Sequence, residues 1–254
     1  MGGALATAAS KTLPQGCIAV CDTDASKADA LGSAIGAVIS TATEIVQDSS
    51  YIFLAVKPQG LASLFAEIAP VLRERKDRFV LVSMAAGTSI ARILELAGVA
   101  LPIIRIMPNT PVRVGSGMTV YTAENVTEEE IEGFLSGLVC AGKFDRIPER
   151  LIDAAGALSG CGPAFVYLFA EALADGGVEC GLPREQALLY AAQTLEGAAK
   201  MILETHEHPA KLKDAVCSPG GTTIAGVHAL EESGFRGSVM GAVKAAYDKT
   251  AKLK

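Results

Sequence analysis

Residues 214–226 read DAVCSPGGTTIAG, and their only charge is on Asp214. Hydroxyl and thiol groups on Cys217, Ser218, Thr222 and Thr223 surround Pro219 and the pair Gly220–Gly221, and a helical pattern follows. Small polar residues and bare backbone at a helix start suit a turn and an N-cap. They also suit a ligand site, and composition alone does not separate the two. The chain opens MGGALATAAS, which reads as a helix leaving a glycine-rich turn with Gly2 as its last glycine. Such a turn brings backbone N–H groups close to a pyrophosphate, and its last glycine lets helix and strand pack tightly. Asp22 follows about twenty residues later, at the end of the next strand pattern, where an acid binds a ribose diol. A lone glycine pair also suits a flexible terminus. In AVKPQ (55–59), Ala55, Val56, Lys57 and Pro58 fall at the carboxyl end of a strand pattern, where open parallel sheets bind ligands. Lys57 sets a cation near the phosphate path, or simply a solvated charge in a loop, and Pro58 fixes the local turn.

The elements that must hold these residues change rhythm once along the chain. CIAVCD (17–22), YIFLAV (51–56), FVLVS (79–83) and PIIRIM (102–107) are short, apolar and mostly unalternating, as in strands buried on both faces of a parallel sheet. Helical patterns lie between them at 26–35, 43–48, 60–75 and 89–97. GMTVYTA (117–123) and GKFDRI (142–147) add strands around a helix at 128–140. The alternation predicts βαβ units and an α/β, doubly wound sheet. After Pro148 only helical patterns remain, punctuated by glycine and proline, so two domains are expected, 1–148 and 149–254.

Composition narrows the function classes. Of 254 residues half are hydrophobic and a fifth charged, and 22 Lys plus Arg against 28 Asp plus Glu leave a net charge of −6. That balance argues against a nucleic-acid partner. The uncharged run 154–170 holds three glycines, a serine and a proline, and reads as too interrupted for a membrane span. No signal-peptide pattern is expected at the start. None of the six cysteines forms a C-x-x-C pair, and His206 and His208 sit in a polar stretch. No metal site is therefore expected, and reduced thiols in the cytoplasm are.

The motifs quoted above, with SMAAGTSI (83–90), IIRIMPNTPVRVGSGMTVY (103–121) and ALSGCGPAFVYLFAEALADGGVECGLPREQA (157–187), resemble the pyrroline-5-carboxylate reductase family over essentially the whole chain. The resemblance implies a Rossmann-like cofactor domain followed by an all-α dimerisation domain. It implies reduction of 1-pyrroline-5-carboxylate to L-proline with NADPH or NADH, in a homodimer or larger homo-oligomer. The family opens with a strand and G-x-G-x-M-G, whereas this chain starts at the Met of that motif, without the strand and the first two glycines. On the resemblance, Ser218, Gly220, Gly221, Thr222 and Thr223 hold the substrate carboxylate, and the Thr223 hydroxyl orients the imine nitrogen or relays its proton. Gly2, Asp22, residues 55–58, Ala85, Ala86 and Asn109 face the cofactor, with Thr110 beside them. Asp22 favours NADH by repelling a 2′-phosphate, an effect that Lys27 offsets. The stripe Phe165, Leu168, Phe169 and Leu173 is expected in the dimer core, with Cys161 a small packing residue. Two alternatives stay open. A β-hydroxyacid dehydrogenase would carry a lysine where this chain has Val166, and there is none from 152 to 199. A non-catalytic dimerising fragment would keep only the helical features.

Overall fold

The structure, a computed structural model, describes residues 1–252. The first element is α1 (Gly2–Ala9), which buries Leu5, Ala8 and Ala9. β1 (Ala19–Val20), α2 (Ala25–Ile35) and β2 (Val38–Ile39) follow, and the two strands pair in parallel. Asp24 caps α2 by accepting from Ser26 N at 3.1 Å, and Gly36 ends it at φ 68°, a conformation open to glycine. The run then alternates through α3 (Ala42–Asp48), β3 (Tyr51–Leu54), α4 (Leu61–Glu74), β4 (Val80–Ser83), α5 (Ile90–Ala97), β5 (Ile103–Met107), β6 (Gly117–Glu124), α6 (Glu128–Gly137) and β7 (Gly142–Arg146).

β3 to β7 form one sheet in sequence order. Both of its faces are covered. Leu81 and Ile103 pack with Phe65, Ile68, Leu72 and Ile93 of α4 and α5 on one side. Val80, Val82, Ile104 and Ile106 pack with Leu5 of α1 and with Ile131 and Phe134 of α6 on the other. Successive residues of the inner strands β4 and β5 are therefore buried, only Met107 in part, which is why their pattern does not alternate. The fold is α/β and Rossmann-like, with two departures from a single parallel sheet. β1 and β2 bond to each other and not to the larger sheet. β6 runs antiparallel to β5, with Ile104 opposite Ala123. Parallel neighbours need a crossover of a dozen or more residues, and residues 108–116 hold only a 3-10 turn, Thr110–Val114.

Beyond Arg146 the described residues are helical: α7 (Glu149–Ala155), a π turn at Gly156–Gly160, α8 (Gly162–Glu179), α9 (Arg184–Thr205), α10 (Pro209–Ala215), α11 (Thr222–Glu232) and α12 (Phe235–Ala251). The glycines and proline of 154–170 do not interrupt this part. Glu149–Glu179 is helical over 31 residues, with an apolar window of mean hydropathy 1.4 that is only 11% buried, long and apolar enough to cross a membrane. The helix survives because the π turn absorbs Gly156 and Gly160, and Pro163 falls in the first turn of α8, where no intrahelical donor is lost.

The chain divides into two compact units, Met1–Cys161 with the end of α12 from Ala246, and Gly162–Ala245. The second has a small core, in which Ala174 meets Ala187 and Ala191 between α8 and α9. Large apolar side chains stay on its surface: Leu168 is 69% exposed, Leu189 63%, Tyr167 63% and Met240 73%.

Candidate functional site

The carboxyl ends of β3, β4 and β5 lie side by side, with Leu54 beside Ser83 and Ser83 beside Arg105. The segments leaving them are those in which the motifs fall. Residues 55–57 lead into a 3-10 turn at Pro58–Gly60, held by Gly60 N donating to Lys57 O at 2.8 Å. Lys57 is exposed. Gly2 reaches this strand end: a Cβ on it would stand 2.5 Å from the Ala55 Cβ, so no larger residue fits without a shift. Met1 gives α1 no side-chain cap, which leaves the N–H groups of its first turn unserved by side chains. Ala85 is buried, and its N–H points to Ser83 Oγ at 3.4 Å. Ala86 is half-buried and Gly87 turns the chain at φ 70°.

Asn109, expected to face the cofactor, has its side chain engaged with backbone at both ends. It is 8% exposed, its Nδ2 donates to Ser159 O at 3.0 Å, and its Oδ1 accepts from Met118 N at 2.9 Å. Each end of the amide holds backbone. Thr110 beside it is exposed. Asp22 lies just past β1, exposed, with Oδ1 accepting from Asp24 N at 2.9 Å. Lys27 is engaged by Asp24 at 3.1 Å. That bond, and the Asp24 and Asp22 charges, raise the Lys27 pKa.

The second unit carries the stretch 217–223. Gly221 N donates to Ser218 O at 3.0 Å and closes a turn, with Gly220 at φ 67°. A Cβ on Gly221 would strike Ser218 Oγ and lie 3.1 Å from Ser218 O. The N-cap of α11 is Gly221 itself, with no side-chain cap. Ser218, Thr222 and Thr223 are exposed. Thr223 therefore does not cap its helix, and α11 starts with open N–H groups beside three hydroxyls.

One set of residues escaped the sequence reading. Arg105, on β5, donates from NH1 to Glu149 Oε1 at 3.1 Å and from NH2 to Asp153 Oδ1 at 2.7 Å. Its one local signal was an arginine within the apolar run PIIRIM, since a charge in a strand covered on both faces requires a buried partner. Among the described residues no group of His, Cys, Asp or Glu could hold a metal ion.

Comparison with known proteins agrees with this layout. A family model described as pyrroline-5-carboxylate reductase dimerisation matches residues 149–253, and one described as NADP oxidoreductase coenzyme F420-dependent matches residues 1–87. The pyrroline-5-carboxylate reductase of Pisum sativum is 41% identical over 256 residues, covering 100% of this chain and 92% of that protein. That of Escherichia coli K12 is 45% identical over 214 residues, covering 84% and 78%. The solved structure of the Coxiella burnetii enzyme matches with a TM-score of 0.89 at 30% identity, covering 100% of this chain and 94% of that one. The Plasmodium falciparum pyrroline carboxylate reductase, solved with NADP bound, matches with a TM-score of 0.86 at 31% identity over the same shares. The two family models match residues 1–87 and 149–253, the Pisum sativum relative covers the whole chain, and the chain belongs to the pyrroline-5-carboxylate reductase family.

Proposed function

We infer that this chain reduces 1-pyrroline-5-carboxylate to L-proline with NADPH or NADH, the last step of proline biosynthesis. The residues at the strand ends fit a dinucleotide. The close seat of Gly2 on Ala55 and the side-chain-free start of α1 suit a pyrophosphate, which needs backbone N–H groups within reach. Lys57 adds a cation, and Ala85 and Ala86 present a surface for the nicotinamide without bulk. Asp22 binds the adenosine ribose. When bound, the cofactor supplies the hydride that forms the new C–H bond at the imine carbon. The chain supplies position and a polar surround.

The open start of α11 carries the substrate reading. Unserved N–H groups and the helix dipole favour an anion, and no acid follows Asp214 in that stretch. Gly220 and Gly221 bring the backbone close to the substrate carboxylate, and the Ser218 and Thr222 hydroxyls donate to it. The Thr223 hydroxyl orients the imine nitrogen, which holds its proton as the carbon accepts hydride. A protonated imine is already electrophilic, so no strong acid is required.

The dimerisation match supports self-association. The exposed apolar residues of the second unit, Leu168 and Leu173 among them, give an intertwined homodimer, or a larger assembly of such dimers, surface to bury. The same burial accounts for the apolar helix 149–179 without a membrane. All six cysteines are free thiols, which supports a cytoplasmic location. Residues 1–148 act as the cofactor domain, and 149–254 as the domain for substrate and dimerisation.

Oxidation of NAD(P)H with the imine tests the activity, and absence of turnover favours a dimerising fragment instead. Thr223→Ala lowers kcat by roughly ten- to thirtyfold and raises KM less, since one neutral hydrogen bond contributes about 1–2 kcal/mol in the transition state. Thr223→Ser keeps most activity. Normal kcat in both variants rejects the role given to Thr223.

A further inference from the structure

Arg105 occupies an inner strand of the sheet with its side chain only 5% exposed. Ser83 on β4 and Thr122 on β6 stand opposite it, so one polar row crosses three strands on the face that α7 covers. Within it Arg105 is held by two carboxylates from α7, Glu149 and Asp153. Glu149 Oε1 has a second donor, Ile90 N at 2.7 Å, in the first turn of α5. Arg105 Nε is buried with no partner, so the cluster is not optimised as an ion pair for its own sake. Buried ion clusters of this kind seldom stabilise a fold more than apolar residues of the same volume.

What the cluster does is join three segments. Ile90 opens α5 directly after the turn 84–89, Arg105 lies near the carboxyl end of β5, and Glu149 and Asp153 lead into the π turn. We propose that Arg105, Glu149 and Asp153 are positioning residues of the reductase, which lock the turn 84–89 and the segment 149–161 to the end of β5. The proposal rests on the cofactor reading given above, in which Ala85 and Ala86 face the nicotinamide. A shift of the order of 1 Å in such a turn costs about a hundredfold in rate without touching the reacting atoms.

Two variants test it. Arg105→Met/Glu149→Leu/Asp153→Leu removes the whole cluster and leaves no lone buried charge. Glu149→Gln keeps an oxygen for Ile90 N and for Arg105 but loses the charge. Each is examined by thermal melting, amide hydrogen exchange of residues 84–91, fluorescence titration with NADPH, and kinetics with the imine. The triple variant should stay folded and melt roughly 2–12 °C below wild type, because Ile90 N loses its acceptor, yet exchange the 84–91 amides at least about tenfold faster. Its NADPH affinity should weaken severalfold and its kcat fall about ten- to hundredfold. Glu149→Gln should move the same quantities in the same direction and by less. A well-folded triple variant with wild-type exchange, affinity and kcat overturns the proposal. If the triple variant does not fold, unchanged exchange and NADPH affinity in Glu149→Gln overturn it. If the wild-type chain binds NADPH but does not reduce the imine, the functional reading fails, while exchange and titration still decide the role of the cluster.

Discussion

Asn109→Ala removes a side chain whose two ends each hold a backbone group, Ser159 O at 3.0 Å and Met118 N at 2.9 Å. Both partners lose their bond, and Asn109 is 8% exposed, so water enters poorly in its place. A stranded polar group costs about 1–3 kcal/mol. Ser159 and Met118 are themselves only half-buried, so the low end applies to each, giving about 2–4 kcal/mol in all. For a chain of this size 1 kcal/mol moves Tm by roughly 2–4 °C, so a fall of roughly 4–16 °C is expected in a melting experiment. Asn109→Asp keeps the oxygen that Met118 N needs but turns a carboxylate towards the Ser159 carbonyl. Burial and that carbonyl raise the new carboxyl's folded pKa above the unfolded value of about 3.9. A raised folded pKa means the penalty grows as pH rises, so the Asn109→Asp deficit should shrink between pH 7 and pH 5 while the Asn109→Ala deficit stays constant. If Asn109→Ala melts within about 1 °C of wild type but loses NADPH affinity, the residue touches cofactor and the clasp is not what it contributes.

Three further outcomes can be measured. Gly2→Ala places its Cβ 2.5 Å from that of Ala55, so it should destabilise the chain by about 1–3 kcal/mol, and adding Ala55→Gly should recover most of the loss in the same melt. No recovery would show that the two residues do not compete for that space. Glu130 is bonded by Arg78 at 2.6 Å and caps α6 with Thr127, and these bonds, that to Arg78 first, lower its pKa. The stability it adds is present above the unfolded carboxyl pKa of about 4.3 and is lost as pH falls through the lower folded value, so the Tm gap between wild type and Glu130→Gln should close below about pH 4.3. Asp22→Ser should raise the NADPH-to-NADH ratio of kcat/KM, since Lys27 is engaged by Asp24 rather than left to a 2′-phosphate; an unchanged ratio refutes the assignment.

The strands of the main sheet, the helical second part and the motifs at the strand ends were legible in the sequence because each depends on neighbours along the chain. An unalternating apolar run means burial on both faces whatever covers it. Thr41 and Thr127 each stand three residues before a glutamate, and both build the capping boxes that this spacing predicts. The open start of α11 was half legible: its residues suited both a cap and a ligand, and the fold makes Gly221 the cap and gives the Thr223 side chain no capping bond.

What only the tertiary structure decided involves partners far apart in the chain. β2 is only two residues long, so its apolar pair Val38–Ile39 is too short a run to announce a strand. The direction of β6 against β5 follows from the short connection before it, residues 108–116, which is too short for a parallel crossover. The helix through 154–170 survives glycines that would end an isolated helix because the π turn is fastened from outside, by Asn109 on Ser159 O. Arg105 finds its partners 44 and 48 positions away, and Asn109 one of its two 50 positions away. Local propensity falls off within a turn or two of chain, whereas a buried charge or amide is satisfied by whatever the fold brings against it, and that choice is made only when the sheet is covered.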